Sequence, residues 1–247
     1  ASAPTGRLRQ WIDVCSTHWR NRPNRWDRPS ELVHSEVVVA DMKLNLGCGD
    51  RVVDGWTNVD YALGARLTRV PLIGTINRKL RIFNVAWGSR IVLHDLLTRF
   101  PWPDSSVAVA YSSHTLEHFD KAAGRAFLTE CHRVLQQGGI IRIVVPDLHV
   151  IVADYVEGRL RADDVVGGLE VLPVHAKSAV KNKLARFTQS SHTHKCMYDT
   201  QRLVEILNEI GFTATRRGAF DSDIGDIRAI EREDRTRRAV IVEGRKR

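Results

Sequence analysis

The chain has little of what would place it in a special structural class. Its 247 residues hold four cysteines, Cys15, Cys48, Cys131 and Cys196, widely separated and without a C-x-x-C pair. Neither a disulfide framework nor a cysteine zinc site is suggested, and the thiols are expected to be reduced. No apolar run approaches a membrane span, and the first thirty residues lack the charged-then-apolar layout of a secretory leader. A cytoplasmic location is therefore expected, with no transmembrane segment. No repeat or low-complexity tract is present. Acidic residues are missing from two long stretches: Tyr61 to His94 carries six Lys and Arg and no acid, and Val171 to Tyr198 carries five and no acid.

What is present describes an ordinary globular protein. Hydrophobic residues make up 43% and charged residues 27%, which excludes collagen-like and disordered classes. The length suits one large domain with insertions. Thirty-seven Lys and Arg against 29 Asp and Glu leave a charge of +8, compatible with an anionic partner: a phosphate, a nucleic acid or a lipid surface touched peripherally. Residues 1–42 open with six Arg, two Asp, three Trp and three Pro in the first thirty positions, a composition that reads as a basic arm or cap. From residue 43 to 247 short strand-like runs alternate with helical patterns, the ordering of a mostly parallel sheet covered by helices. The strands are expected at Lys43 to Leu46, Thr57 to Tyr61, Arg90 to His94, Val107 to Tyr111 and Ile140 to Val145. Asp120 is expected to cap a helix through Ala123, Phe127, Cys131 and Val134 that Gly138 stops, and a second helix runs through Leu203 to Gly211. Phe212 to Phe220 and Arg238 to Glu243 read as a closing antiparallel pair. The two acid-free stretches, near 62–89 and 165–197, are expected to be insertions on the substrate side.

The turn after the first strand, Gly47-Cys48-Gly49, lets backbone N–H groups approach a polar ligand closely. Asp60 stands at the tip of the second strand, where a carboxylate can accept from ribose hydroxyls, and Asp95 at the tip of the third, within reach of an exocyclic amine. Asp60 follows Gly49 by eleven positions, too few for a dinucleotide fingerprint, so hydride transfer to nicotinamide is disfavoured.

These residues, with LNLGCGD (44–50), GWTNVD (55–60), HDL (94–96), YSSHTLEHF (111–119), RVLQQGGIIRIVVPD (133–147) and the closing IVEGRK, resemble the class I S-adenosylmethionine-dependent methyltransferases. The likeness is greatest to bacterial members associated with polysaccharide and glycoconjugate synthesis. It implies a Rossmann-like α/β fold with a mostly parallel seven-stranded sheet, an antiparallel last strand and helices on both faces. It also implies that S-adenosylmethionine is held by Leu46, Gly47, Cys48 and Gly49, by Asp60, by Asp95 and Leu96, and by Ser112.

Methyl transfer from a sulfonium is an in-line displacement with a neutral leaving group, so the protein must align the acceptor and, for a hydroxyl, remove its proton. His114, Asp147 and His194 are the candidate bases, each at a place expected to meet above the methyl donor. His118, His149, His192 and Tyr198 are candidate acceptor contacts, and Trp87 or Tyr198 could stack on a pyranose ring. Glu117, Asp147 and His194 could hold magnesium, although nothing in their spacing demands it. His114-x-x-Glu117-His118 also matches a zinc hydrolase pattern, but that chemistry needs a continuous helix where a strand is expected. The string Tyr111-Ser112-Ser113-His114 differs from the Pro-Pro signature of enzymes that methylate amines of bases, so a hydroxyl of a sugar, oligosaccharide or glycolipid is the expected acceptor. Another small-molecule hydroxyl, a nucleic-acid-binding role and S-adenosylmethionine binding without turnover are the alternatives. Oligomeric state is not encoded in these patterns.

Overall fold

The computed structural model describes residues 41–49, 51–62, 66, 90–169 and 193–247. The arm expected over 1–42 lies almost wholly outside them, as do most of 62–89 and of 165–197, including Trp87 and His192.

Seven strands form one sheet in the order β3-β2-β1-β4-β5-β7-β6. The strands are β1 Lys43–Leu46, β2 Thr57–Asp60, β3 Ile91–Leu93, β4 Val107–Ser113, β5 Leu135–Pro146, β6 Phe212–Arg216 and β7 Ala239–Lys246. All neighbours pair in parallel except β7, which runs antiparallel to both β5 and β6. The chain steps outward from β1 through β2 to β3, then returns to place β4 on the other side of β1. That reversal opens a crevice at the carboxyl ends of β1 and β4.

Period-two alternation explains why the central strands are nearly continuous apolar runs. Ile141, Ile143 and Val145 of β5 face one core with Leu44, Leu46 and Val59, while Ile140 and Val144 face a second with Trp56, Tyr111, Ile227 and Ile241. Both faces of the sheet are thus covered, as parallel sheets require. The first core is roofed by α1 Lys121–Val134, whose Phe127, Leu128 and Cys131 are buried. Asp120 starts that helix by accepting the Ala123 N–H at 2.8 Å. It ends at Val134, earlier than expected. Gly138 takes φ +74° within β5 instead of ending the helix, and the β4–β5 register shifts there, between Val107 and Val109. Beyond β5 follow α2 Leu148–Val156, α3 Ala162–Gly168, α4 Thr200–Ile210, and the single turns α5 Ile227–Ile230 and α6 Glu233–Thr236.

One charged residue sits in the middle of the second core. Arg142 of β5 is 0% exposed. Its Nε and Nη2 donate to Glu231 at 2.9 and 2.7 Å, and its Nη1 to Glu243 at 2.8 Å. The two remaining N–H groups reach the carbonyls of Asp221 and Gly218 at 2.9 and 3.0 Å. All five donors of the guanidinium are satisfied, so a charge that would be prohibitive alone is held by two carboxylates.

Candidate active site

The turn after β1 is built for two different neighbours. Gly47 and Gly49 have φ of +74° and +55°, a region that side chains rarely enter. A Cβ on Gly47 would lie 2.1 Å from Thr115 Oγ1, so the turn fits against the segment after β4 only as glycine. A Cβ on Gly49 would meet nothing within 4 Å, because that residue faces open space. Asp60, at the end of β2 and 8% exposed, accepts the Gly49 N–H at 2.9 Å and the Ala62 N–H at 2.7 Å. Two N–H donors fix the carboxylate, and each oxygen keeps a lone pair for a hydroxyl. Below it, Asn45 donates to Asn58 at 2.9 Å, and Asn58 in turn closes the loop at Val53 through two bonds of 3.0 Å. Asp95 accepts the Leu97 N–H at 3.0 Å beside buried Leu96.

These residues form one end of a cavity of about 1140 Å³. Its other end lies over β4 and β5. There His114 adopts φ +52°, and its ring stands between two acceptors: Nδ1 is 3.3 Å from Glu117 Oε1 and Nε2 is 2.9 Å from the Arg235 carbonyl. Burial works against a charged ring, but the Glu117 carboxylate and the Arg235 carbonyl outweigh it, and the pKa of His114 is raised above the usual value. Glu117 is itself 0% exposed. Its Oε1 faces His114 Nδ1 at 3.3 Å and His194 Nε2 at 3.9 Å, and its Oε2 has no hydrogen-bond donor among the described residues. The backbone ties this corner together, since the Lys195 and Cys196 N–H groups both donate to the Glu117 carbonyl.

The expected site residues divide by position. Gly47, Cys48, Gly49, Asp60, Asp95, Leu96, His114, Glu117, His118, Asp147 and His194 line the cavity together. Asp147 also caps α2, its Oδ1 accepting the His149 N–H at 2.9 Å. Four candidates lie elsewhere. Ser112 is 2% exposed, and by strand alternation its neighbours Tyr111 and Ser113 line the cavity in its place. Leu46 is a core residue beneath the turn. Tyr198 is 5% exposed and packs in the first core, its backbone bridged to Asp147. Burial, with Cys196 close by, pushes its hydroxyl pKa upward, as suits a packed phenol and not an acceptor contact. His149 is exposed outside the cavity. The hydrolase reading also fails on geometry: His114 follows the last residue of β4, and Leu116–His118 is a single 3₁₀ turn. The described residues that approach metal-binding geometry are Glu117, His118 and His194, without Asp147.

The cavity has a third wall that the sequence reading missed. Arg232, Arg235, Arg237 and Arg238 line it from α6 and the approach to β7, and Arg51, which donates to the Ala229 carbonyl at 2.7 Å, lines it too. Arg238 pairs with Asp154 and Arg232 with Asp234, whereas Arg235 and Arg237 make no salt bridge among the described residues. The signal was the run Glu231-Arg-Glu-Asp-Arg-Thr-Arg-Arg238, whose mixed charges look like a solvated face.

Comparison with known proteins agrees with this geometry. Residues 44–143 match the family model of a methyltransferase domain, a span that takes in the glycine turn, Asp60, Asp95 and the His114 corner. The fold is that of a class I methyltransferase. Among solved structures, YcgJ from Bacillus subtilis is similar at 16% identity and TM-score 0.43, with 84% of this chain and 94% of that one covered. A S-adenosylmethionine-dependent methyltransferase from Archaeoglobus fulgidus is similar at 16% identity and TM-score 0.45, with coverages of 84% and 88%. No curated protein sequence matches the chain. Among the described residues no helix is long and apolar enough to cross a membrane.

Proposed function

We propose that the protein transfers a methyl group from S-adenosylmethionine to a hydroxyl of a sugar, oligosaccharide or glycolipid that carries negative charge. The carrying observation is the single cavity that starts at the open glycine turn, Asp60 and Asp95 and ends at a wall of arginines. Asp60 takes the ribose hydroxyls, Asp95 and the Leu96 backbone the adenine, and the N–H groups of the glycine turn the methionine portion. Arg235 and Arg237, cationic and without salt-bridge partners among the described residues, hold a carboxylate or phosphate on the acceptor. The sugar class follows from the resemblance of the strand-tip motifs to enzymes of polysaccharide synthesis.

Of the three candidate bases, Asp147 fits best. Both ring nitrogens of His114 already face protein groups, Nδ1 the Glu117 carboxylate and Nε2 the Arg235 carbonyl, so neither is turned to an acceptor hydroxyl. His194 is buried, with Nδ1 on the Leu169 carbonyl at 2.9 Å. Asp147 is half-buried at the cavity wall, and among the described residues only its Oδ1 has a donor. In the transfer the acceptor oxygen attacks the methyl carbon, the carbon–sulfur electron pair stays on sulfur, and the hydroxyl proton passes to Asp147.

The test supplies labelled S-adenosylmethionine with matched neutral, uronic and phosphorylated glycans. Label incorporated into the anionic glycans, with a KM that rises with ionic strength, is the expected result. Equal use of neutral glycans would remove the arginine assignment, and absence of S-adenosylhomocysteine binding by calorimetry would remove the cofactor reading.

A further inference from the structure

We infer that Glu117, His118 and His194 form a binding site for one divalent transition-metal ion, with an open coordination position facing the acceptor end of the cavity. Each of the three offers one donor atom, and these atoms lie within 4.8 Å of one another. Donors around a tetrahedral ion with bonds near 2.0–2.1 Å are roughly 3.3 Å apart, so binding draws the three side chains together by rotation. The inference stands on this donor set and does not need the methyl-transfer reading.

Three observations select these residues over a simple charge pair. First, the Glu117 side chain is 1% exposed; His114 Nδ1 lies 3.3 Å from its Oε1, and its Oε2 has no hydrogen-bond donor among the described residues. Buried carboxylates are costly unless fully paired or bound to metal, and a cation among Glu117, His118 and His194 supplies what Oε2 lacks. Second, both histidines are oriented through Nδ1 by main-chain carbonyls. His194 Nδ1 is 2.9 Å from the Leu169 carbonyl and His118 Nδ1 3.3 Å from that of Thr193. An imidazole that donates through Nδ1 to a carbonyl presents Nε2 as its donor atom, which is the usual support for a metal-bound histidine. Third, the site is assembled from two chain segments locked together, because the Lys195 and Cys196 N–H groups clamp the Glu117 carbonyl at 2.8 and 3.2 Å.

The chemistry of the donors limits the ion. Two imidazoles and one carboxylate suit zinc, cobalt, nickel or manganese, whereas magnesium prefers oxygen ligands and retains its waters. Three protein ligands leave a fourth position, and all three residues line the cavity, so that position would take a water or an oxygen of the acceptor. The arrangement differs from the zinc hydrolase that the H-x-x-E-H string suggests. Here the glutamate is a ligand, His114 is not, and the third donor arrives from residue 194.

The experiment uses untagged full-length protein stripped of metal and titrated with Zn2+, with Co2+ as a spectroscopic probe and Mg2+ as comparison. The expected result is one equivalent of zinc, magnesium affinity at least about a hundredfold lower, and the visible absorption of four- or five-coordinate cobalt. Glu117→Gln keeps the volume of the side chain, and His118→Ala removes a half-buried ring; circular dichroism establishes that each is folded. Each should lower zinc affinity by at least about tenfold and weaken the cobalt absorption. No saturable equivalent, or zinc and cobalt binding unchanged in both folded variants, would overturn the proposal.

Discussion

The two ends of the cavity are made differently. The end proposed for the cofactor is made of strand tips and main-chain N–H groups: Asp60 is held by the N–H groups of Gly49 and Ala62, Asp95 by that of Leu97, and the glycine turn itself hangs from the Val59 carbonyl. Every partner lies within eleven residues of the carboxylate it holds, or one strand away. The acceptor end is made of side chains from distant segments: Glu117, Asp147, His194 and Arg235 meet there although 118 positions separate the first from the last. A site built from local backbone can serve a constant ligand, while one built from distant side chains can change its ligand by single substitutions. That division suits the proposed reaction, in which the methyl donor is fixed and the acceptor is what the arginine wall selects.

The sharpest way to break the comparison is to remove the proposed base. Asp147→Asn keeps the cap of α2 and should lower kcat by roughly a hundred- to ten-thousandfold while the affinity for S-adenosylhomocysteine, read by calorimetry, stays within a factor of two or so. Loss of both together would mean that the two ends are not separable. Next in size, Asp60→Ala should weaken cofactor binding by about ten- to a hundredfold, because the ribose hydroxyls lose a charged acceptor. Unchanged affinity would show that the carboxylate serves only to tie the turn. Arg235→Ala and Arg237→Ala should each raise the KM for an anionic acceptor by about tenfold with kcat little altered, and flatten its dependence on salt.

The smallest effect serves as a control away from both ends. His132 packs edge-on against Phe212, with ring centroids 4.9 Å apart. Burial and the nearby Lys246 depress its pKa below 6.5, opposed by the Gly211 main chain. The unfolded chain therefore binds more protons than the folded one below that pH. The stability that His132 contributes should be fully present above about pH 6.5 and be lost as the pH falls through the depressed value. His132→Gln should flatten that decline in a melting series from pH 7.5 to 5 while leaving both ends of the cavity unaffected.

The same contrast decides how much could be read in advance. The sheet, the helix capped by Asp120 and the strand-tip carboxylates were legible because each rests on short-range pattern: period two, a cap, a glycine turn. Ser112 failed on parity, since a strand running two residues further than expected puts Ser113 on the cavity side. Tyr198 looked like an acceptor contact because it lies in a basic segment, yet its ring fills the space beside Gly124, where a Cβ would come within 3.0 Å of its hydroxyl. The arginines of 232–238 could not be placed, because an alternating charge run has the same appearance on a solvated face as on a cavity wall. His118 and His194 meet at a ring-centroid distance of 5.1 Å only through the clamp on Glu117, which has no local signature.

The buried guanidinium of Arg142 also bears on the order of assembly. Its strand can pair with β4 early, but its charge has no carboxylate until Glu231 and Glu243, 89 and 101 residues later, have been synthesised. Breaking such a pair by withholding one side costs about 3–5 kcal/mol, a large share of what holds a domain of this kind together. A fragment ending near residue 225 should therefore be cleaved rapidly by protease, while one extending past β7 resists. The arginine wall is carried by the residues that follow Glu231, so the acceptor end is completed in the same event that neutralises the centre of the sheet. The charge at the centre of the sheet and the proposed acceptor wall thus depend on the same stretch of chain.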